Sequence, residues 1–243
     1  MISCNLKGGL GNQLFQIAAT YALAKRNNDI CGFDLSQNKY KNNILSKVNC
    51  IEGFKPFGFY NEVSFNYKKI KYNKNMILDG YFQSEKYFLD FKESILDLFV
   101  ISPQDIEFVL NCLPSGRSIT SVHARRGDYL KLTDVYHLCD VSYYERAMEL
   151  AGDSFFIFIS DDIEWCVRNF GDNVNCFFPK FDSDILDFTL MTICDNNIIC
   201  NSTFSWWGSF LNRNSKIYAP KKWFNSKGPS DVSDLYRSEW ILV

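Results

Sequence analysis

The sequence predicts an α/β protein whose second half is built on a parallel sheet with helices on both faces. From residue 118 onward, apolar segments of strand length alternate with helical patterns, which is the order that βαβ units require. Strands such as Phe155–Ser160 are apolar at almost every position, as expected of strands buried on both sides. Near the N-terminus, a short strand, a glycine-rich turn and a helix form the usual entry to a nucleotide-type α/β unit.

The first elements follow from spacing. Ile2, Cys4 and Leu6 alternate and predict a strand, and Leu14–Ala22 shows helical spacing after the turn KGGLGNQ. The glycines of this turn match neither the dinucleotide fingerprint nor the P-loop. The turn therefore indicates either a loop whose backbone passes close to a ligand or a tight turn without one. A second alternating strand is predicted over Cys31–Leu35.

The rest of the first half is less regular. Residues 39–75 are rich in lysine, asparagine and aromatic residues, and their aromatic rings fit either a small core or a sugar-facing loop. Helices are predicted over Tyr87–Phe99 and Pro103–Leu113. Leu113–Gly116 is the best linker in the chain. We therefore predict one domain over residues 1–115 and a second over residues 116–243.

The second half alternates regularly. The predicted strands are Ser118–His123, Phe155–Ser160, Val174–Phe178, Asn197–Cys200 and Lys216–Ala219. The predicted helices are Ser142–Ala151, Ile163–Phe170, Asp184–Cys194 and Phe204–Asn212. The carboxyl ends of these strands should share one edge of the sheet, where ligands of α/β proteins bind.

Composition excludes several functional classes. With 26 basic and 28 acidic residues, the net charge of −2 offers no overall field for nucleic acid. Nine cysteines without a C-x-x-C pair, and only two histidines, fit free thiols in a reducing compartment better than disulfides or zinc. No apolar run approaches the ~20 residues needed to span a bilayer, and the apolar stretch 14–24 lacks the basic flank of a signal peptide. We expect a cytoplasmic protein, which leaves peripheral membrane contact open.

The main candidate site is the sequence HARRGDY, which follows the strand Ser118–His123. Arg125 and Arg126 carry guanidinium groups that match phosphate oxygens, and Gly127 lets the backbone turn sharply. Asp128 would lie beside the bound anion. The alternatives are a plain surface ion pair between Arg125 and Asp128 or a chance Arg-Gly-Asp triplet.

Two further polar clusters follow strands of the same predicted sheet. Asp161 and Asp162 follow one strand, and Asn201, Ser202 and Thr203 follow another and open a helix, whose free N–H groups favour an anion. Each cluster has a simpler explanation as a helix cap. Three polar clusters on one edge of the sheet, one of which is the double arginine, nevertheless indicate a nucleotide-sized site.

A further pair of carboxylates, Asp182 and Asp184, has the D-x-D spacing of a metal clamp found in one class of glycosyltransferases. A helix cap is the favoured interpretation. The two arginines can neutralise a diphosphate, so no metal is required.

Several motifs, in order, resemble one family. They are KGGLGNQLFQ, GYFQSEKYF, SVHARRGDY, FFIFISDDIEWC, LMTICDNNIICNSTFSWWGSFLN and APKKWF. Together they resemble glycosyltransferase family 11, the α-1,2-fucosyltransferases, from near residue 1 to residue 224. The resemblance implies a GT-B fold, in which two Rossmann-like domains face each other across a cleft. It also implies metal-independent, inverting transfer from GDP-β-L-fucose to the 2-hydroxyl of a terminal β-galactose.

The resemblance also implies roles for individual residues. Arg125 and Arg126 should bind the donor diphosphate, and His123 and Asp187 should contact the guanine or ribose. Ser202, Thr203 and Ser205 match the phosphate-side loop. Asp161, Asp162 and Asn201 are further candidate donor contacts because of their position at the strand ends, not because of the resemblance. The residues of the N-terminal loop that should face the donor are Gly9, Gly11, Asn12 and Gln13.

Several functional questions stay open at this point. Asp128 is either the catalytic base or an orienter of the arginines, and we favour the orienter. The chain is short for the family in its first half, where the acceptor-side domain is expected, and the sequence leaves the acceptor glycan undefined. The rival interpretations are a metal-dependent transferase using Asp182 and Asp184, and a sugar-nucleotide-binding protein without turnover.

Overall fold

The computed structural model describes all 243 residues, which divide into two compact units. The first contains Met1–Ser102 and Asp231–Tyr236, and the second contains Pro103–Ser230 and Arg237–Val243. The chain therefore changes unit at Pro103 rather than at residue 116, where the sequence predicted it. The reason is that the helix starting at Pro103 packs on a helix of the second unit.

The first unit contains a small parallel sheet. Its strands are β1 (Ser3–Cys4), β2 (Gly58–Asn61) and β3 (Met76–Asp79), in the spatial order β1-β3-β2. Isolated parallel bridges join Ile2 to Cys31 and Phe33 to Cys50, so the predicted second strand is reduced to single pairings. The strands β2 and β3 were not predicted.

The helices of the first unit are α1 (Leu10–Arg26) and α2 (Lys92–Leu98). Helix α1 is buried around most of its circumference, since every residue from Leu14 to Thr20 is buried. Lys25 and Arg26 in its last turn complement the helix dipole. Two short 3₁₀ turns, Glu85–Tyr87 and Leu89–Phe91, precede α2 where a single helix was predicted.

The second unit contains a six-stranded parallel sheet. Its strands are β4 (Ile119–Ala124), β5 (Phe155–Ser160), β6 (Cys176–Phe177), β7 (Asn196–Ile198), β8 (Lys216–Ala219) and β9 (Ile241–Leu242). Their spatial order is β6-β5-β4-β7-β8-β9. All six residues of β4 are buried, because helices cover both faces of the sheet.

The helices of the second unit confirm most of the predicted pattern. They are α3 (Pro103–Asn111), α4 (Val141–Ala151), α5 (Ile163–Phe170), α6 (Asp184–Ile193) and α7 (Thr203–Leu211). Helix α3 packs on α6, and α6 packs on α7, whose Trp206 and Trp207 are fully buried. All nine cysteines are free thiols. None of the helices is both long and apolar enough to cross a bilayer.

Candidate active site

The chain order of the second sheet creates a crevice beside its central strand. From β4 the chain moves through β5 to β6 on one side and then returns to place β7 on the other side of β4. In open parallel sheets, the two loops that leave such a switch point diverge and leave room for a ligand. Here those loops begin with Arg125 and Ile199. The predicted arginine and Asn201–Thr203 clusters therefore meet at the position where ligands of this fold class bind.

Arg125 lies between two carboxylates. Its Nη2 is 2.7 Å from Oδ1 of Asp128, its Nε is 3.0 Å from the same oxygen, and Nε is 3.2 Å from Oδ2 of Asp161. The Nη1 donors have no partner in the protein. The two carboxylates thus fix the guanidinium while leaving part of its fork for an anion.

Asp161 also fixes the backbone of the arginine loop. Its Oδ1 accepts a hydrogen bond of 2.8 Å from the backbone N–H of Arg126. A Cβ atom on Gly127 would collide with Oδ2 of the same carboxylate, so a larger residue there would force the Asp161 side chain away from its hydrogen bond. Asp161 was predicted as a donor contact, and its position indicates that it also organises the loop.

Arg126 is packed more tightly than Arg125. Its guanidinium lies 4.1 Å from the centre of the Trp165 ring, and its Nε is 3.2 Å from Oδ2 of Asp162. Its side chain is 16% exposed, against 37% for Arg125. Asp162 is the N-cap of α5 as well, since it accepts from the N–H of Trp165. Of the two arginines, Arg125 is therefore the one more accessible to a ligand.

Residues that the sequence analysis did not single out hold the loop after the motif. The rings of Tyr129 and Tyr136 stack with centroids 4.1 Å apart, and Tyr136 packs in turn on Phe224. The Tyr129 hydroxyl donates to the carbonyl of Asn201 at 3.1 Å. Tyr129 and Phe224 belong to the motifs HARRGDY and APKKWF, and neither motif indicated that the two residues would be connected through Tyr136.

Asn201 forms hydrogen bonds that connect its own loop to two others. Its Nδ2 donates to the carbonyls of His137 at 2.7 Å and of Trp223 at 2.8 Å, and the residue is buried. Both amide hydrogens are used within the protein. Its carbonyl accepts from Tyr129, and its Oδ1 accepts from the Cys139 thiol at 3.9 Å. Asn201 therefore organises the loops, and its predicted donor contact stays a prediction.

The N-terminus of α7 opens at the same edge of the sheet. Ser202 is its N-cap and accepts from the N–H of Phe204, and Thr203 is its first residue. Ser205 is buried and donates back to the carbonyl of Cys200 or Ser202, at 3.3 and 3.2 Å. The helix dipole makes this end suitable for a phosphate.

His123, the residue before the last one of β4, is neutral and oriented. Burial, with a smaller effect from the charge of Arg125, lowers its pKa to about 3. Its Nδ1 lies 3.3 Å from Sγ of Cys200, whose pKa burial raises well above the usual value. The thiol therefore keeps its proton and can donate it to Nδ1, which leaves the ring hydrogen on Nε2.

Asp187 lies in the first turn of α6, and aromatic rings connect its neighbourhood to His123. Phe188 packs on Phe204 at 5.2 Å, and Phe204 packs on His123 at 5.4 Å. Burial, and then the negative charge of Asp184, raise the pKa of Asp187 to about 7. A desolvated carboxylate of this kind gains most from a ligand that donates hydrogen bonds to it.

The surroundings of Asp182 and Asp184 support the helix-cap interpretation of this sequence. Ser183 caps α6 by accepting from the N–H of Ile185, Asp182 is exposed, and Asp184 belongs to the helix. No group of three or more His, Cys, Asp or Glu side chains in the 243 residues is arranged to hold a metal ion.

Side-chain amides of the glycine-rich loop of the first unit form hydrogen bonds that fix its conformation. Gly8 has a φ of +79°, Gln13 donates to its carbonyl at 3.0 Å, and Asn12 accepts from Gln83 at 2.9 Å. Gly9 faces open space, whereas Gly11 is buried within α1. The predicted loop residues thus lie together at the carboxyl edge of the first sheet, where Lys7 pairs with Asp79 at 2.5 Å.

Comparison with known proteins identifies the family. The model of glycosyl transferase family 11 matches residues 58–243, which is most of the chain. The chain belongs to glycosyltransferase family 11. It is therefore an enzyme of the glycosyltransferase class, and the resemblance noted from the motifs is confirmed.

Named relatives match 90% or more of the chain. An O-antigen biosynthesis glycosyltransferase of Escherichia coli, WbnK, is 28% identical over 309 aligned positions that cover 99% of each chain. An α-1,2-colitosyltransferase of the same organism is 29% identical and covers 100% of this chain and 99% of its own. A galactoside 2-α-L-fucosyltransferase of Bos taurus is 25% identical over 90% of this chain and 66% of its own.

Solved structures show the same fold. The Bradyrhizobium fucosyltransferase NodZ superposes with a TM-score of 0.59 at 16% identity, covering 86% of this chain and 91% of its own. POFUT1 in complex with GDP superposes with a TM-score of 0.56 at 11% identity, covering 90% and 96%. The predicted α/β class with parallel sheets is thereby confirmed.

Proposed function

We propose that this family 11 enzyme transfers L-fucose from GDP-β-L-fucose to the 2-hydroxyl of a terminal β-galactose, with inversion and without a metal. The observation that carries the proposal is Arg125 at the switch point of the second sheet, with its Nη1 donors unpaired and the N-terminus of α7 on the adjoining loop. A fixed guanidinium and a helix N-terminus on one crevice suit a diphosphate.

The catalytic role of Arg125 follows from the charge that develops in the reaction. As the bond between fucose and GDP breaks, negative charge grows on the β-phosphate. Donors already fixed at that position stabilise the transition state more than the ground state. Arg126, held by Trp165 and Asp162, keeps the loop in place, and Asp128 and Asp161 orient Arg125.

The nucleoside half of the donor should be recognised near Asp187 and His123. Guanine presents two adjacent N–H donors, which a carboxylate accepts as a pair. The raised pKa of Asp187 and the connected rings of Phe188, Phe204 and His123 support this position. The ionised Asp187 would then be stabilised by the base that it binds.

The acceptor should bind to the first unit. At the carboxyl edge of its sheet lie the Lys7–Asp79 pair and the Tyr81 ring, which Lys7 approaches to 5.1 Å. Aromatic and charged side chains of this kind suit a sugar with apolar and hydroxyl-bearing faces. The GT-B arrangement of the two units, the division into acceptor and donor sides, and a cytoplasmic location are parts of this proposal.

The relatives point to GDP-colitose as a second candidate donor. The E. coli α-1,2-colitosyltransferase matches the chain from end to end, as the fucosyltransferases do over shorter lengths. Colitose lacks one hydroxyl of fucose. A site built to bind that hydroxyl rejects the deoxy sugar strongly, by on the order of 10⁴-fold, so competition between the two GDP sugars decides the donor.

The test is transfer of radiolabelled fucose to a galactose-terminated oligosaccharide in the presence of EDTA. We expect full activity in EDTA, a product with an α-1,2 linkage by NMR, and preference for GDP-fucose over GDP-colitose. Activity lost in EDTA and restored by Mn²⁺ would support the rival clamp at Asp182 and Asp184. GDP-fucose binding without any transfer to a broad set of acceptors would support the non-catalytic alternative.

A further inference from the structure

The charge of the chain is unevenly distributed. Residues 39–75 contain eight lysines and two glutamates, a net charge of +6, in a chain whose net charge is −2. All basic residues of this segment are lysines. Lys55, Lys69, Lys71 and Lys74 are exposed, and none of the four forms an ion pair. The segment therefore presents uncompensated positive charge.

Exposed aromatic rings lie beside these lysines. Lys55, Phe57 and Phe59 alternate with half-buried residues along β2 and the segment before it, so they share one face. Phe57 is 89% exposed and Phe59 is 72% exposed. The neighbour of Phe59 on the adjacent strand is Ile77, which is half-buried and extends the apolar surface. Two of the exposed positions here therefore carry large apolar rings, where a β-strand usually places polar residues.

The lysines and the rings occupy the amino edge of the first sheet. The N–H of Phe57 donates to the carbonyl of Asn75 at 2.7 Å, which places Lys74 beside the start of β2. Lys69 and Lys71 line a cavity of about 410 Å³ at the C-terminal end of α1, and Tyr72 donates to Asp29 just beyond that helix. We call the surface formed by Lys55, Phe57, Phe59, Lys69, Lys71 and Lys74 the basic edge. It lies opposite the carboxyl edge that carries the glycine-rich loop.

The composition of the basic edge favours a lipid surface over other partners. Lysines are mobile point charges that suit a diffuse layer of anionic headgroups, whereas discrete phosphates favour the fork of arginine, which the segment lacks. Exposed phenyl rings beside lysines can enter the boundary between headgroups and acyl chains. A patch that combines both features is typical of peripheral membrane proteins.

We propose that the basic edge docks this enzyme onto an anionic lipid bilayer, with Phe57 and Phe59 inserted and the lysines at the headgroups. Docking through the amino edge leaves the carboxyl edge of the same sheet free for substrate. Each lysine near an anionic surface contributes about fivefold to the partition coefficient, so three together contribute on the order of 100-fold.

The test is flotation of the full-length protein with vesicles of phosphatidylcholine alone or of phosphatidylcholine and phosphatidylglycerol. We expect binding only to the anionic vesicles, and its loss at 0.5 M NaCl, where charge screening is nearly complete. The triple variant Lys69→Gln, Lys71→Gln, Lys74→Gln should bind roughly 100-fold more weakly. The double variant Phe57→Ser, Phe59→Ser should lose at least about tenfold.

A matched control uses exposed lysines of the second unit, Lys180→Gln, Lys221→Gln and Lys222→Gln, and should bind as the wild type does. Equal flotation of the wild type and both basic-edge variants would overturn the proposal. So would a wild type that ignores the vesicles but dimerises in solution through Phe57 and Phe59, or that binds a nucleic acid probe instead. Fucose transfer to a soluble acceptor should be unchanged in every variant, which separates this proposal from the proposed activity.

Discussion

The pH dependence of donor binding should follow Asp187. Its pKa of about 7 results from burial and the neighbouring charge of Asp184. If guanine binds only the ionised carboxylate, donor affinity is present above pH 7 and is lost as the pH falls through that value. The ionised fraction is about 90% at pH 8 and about 10% at pH 6, so the affinity should fall about ninefold between them.

The assay is calorimetric titration with GDP-fucose in the absence of acceptor. GDP-fucose is preferable to GDP because its β-phosphate is esterified and has no second ionisation near pH 6. His123 should not contribute, because burial lowers its pKa to about 3. Burial also lowers the pKa of His137, which moves its titration away from neutral pH. The change in affinity across this range therefore reports on Asp187.

Two variants distinguish titration of Asp187 from a general loss of folding. Asp187→Asn should bind GDP-fucose weakly and with little pH dependence. Since the raised pKa means that ionisation of Asp187 costs folding stability as the pH rises, this variant should have a higher Tm than the wild type at pH 8. Asp184→Asn should shift the midpoint of the wild-type profile to lower pH. A wild-type affinity that is constant from pH 6 to pH 8 would refute the role of Asp187.

Three further predictions concern the arginine loop. Arg125→Lys keeps the positive charge but loses the forked set of guanidinium donors. Losing one charge-assisted hydrogen bond of about 1.5–3 kcal/mol should lower kcat at least roughly tenfold. The control Arg117→Lys, on the surface, should leave kcat unchanged. Asp128→Asn should weaken GDP binding and transfer together, since Asp128 orients Arg125; normal GDP affinity in a variant that cannot transfer fucose would instead identify Asp128 as the base. Gly127→Ala should push the Asp161 carboxylate away from the Arg126 N–H, at a cost of about 1–3 kcal/mol, and should lower both Tm and GDP affinity. The control Gly58→Ala, where a Cβ has room, should change neither. Unaltered melting and GDP binding in Gly127→Ala would contradict the clash.

The second half of the fold was predictable because the apolar pattern of each segment and its length indicate the same type of element. The apolar strand Phe155–Ser160 has the predicted bounds, and β4 differs from its prediction by one residue at each end. The strand β3 was missed because its four residues, Met76–Asp79, are too few to show a period. The strand β2 was missed because its exposed position 59 carries phenylalanine beside the half-buried Tyr60, so the alternation of burial did not appear as an alternation of polarity.

The candidate site was predictable as a set of strand ends but not as a set of contacts. The sequence placed Arg125, Asp161 and Ser202 on one edge of the sheet, and the structure places them there. It could not show that Asp161 holds the backbone of a residue 35 positions away, or that Trp165 covers Arg126. Such pairings depend on how two loops pack, and the sequence pattern of either loop alone does not contain that information.

We expect the crevice between the ends of β4 and β7 to bind the donor diphosphate through Arg125. The decisive measurement is a crystal structure of the protein with GDP. It should show a β-phosphate oxygen within hydrogen-bond distance of Nη1 of Arg125, near the N-terminus of α7, with guanine against Asp187. GDP bound elsewhere, for example on the glycine-rich loop of the first unit with Arg125 still engaged only by Asp128 and Asp161, would contradict it.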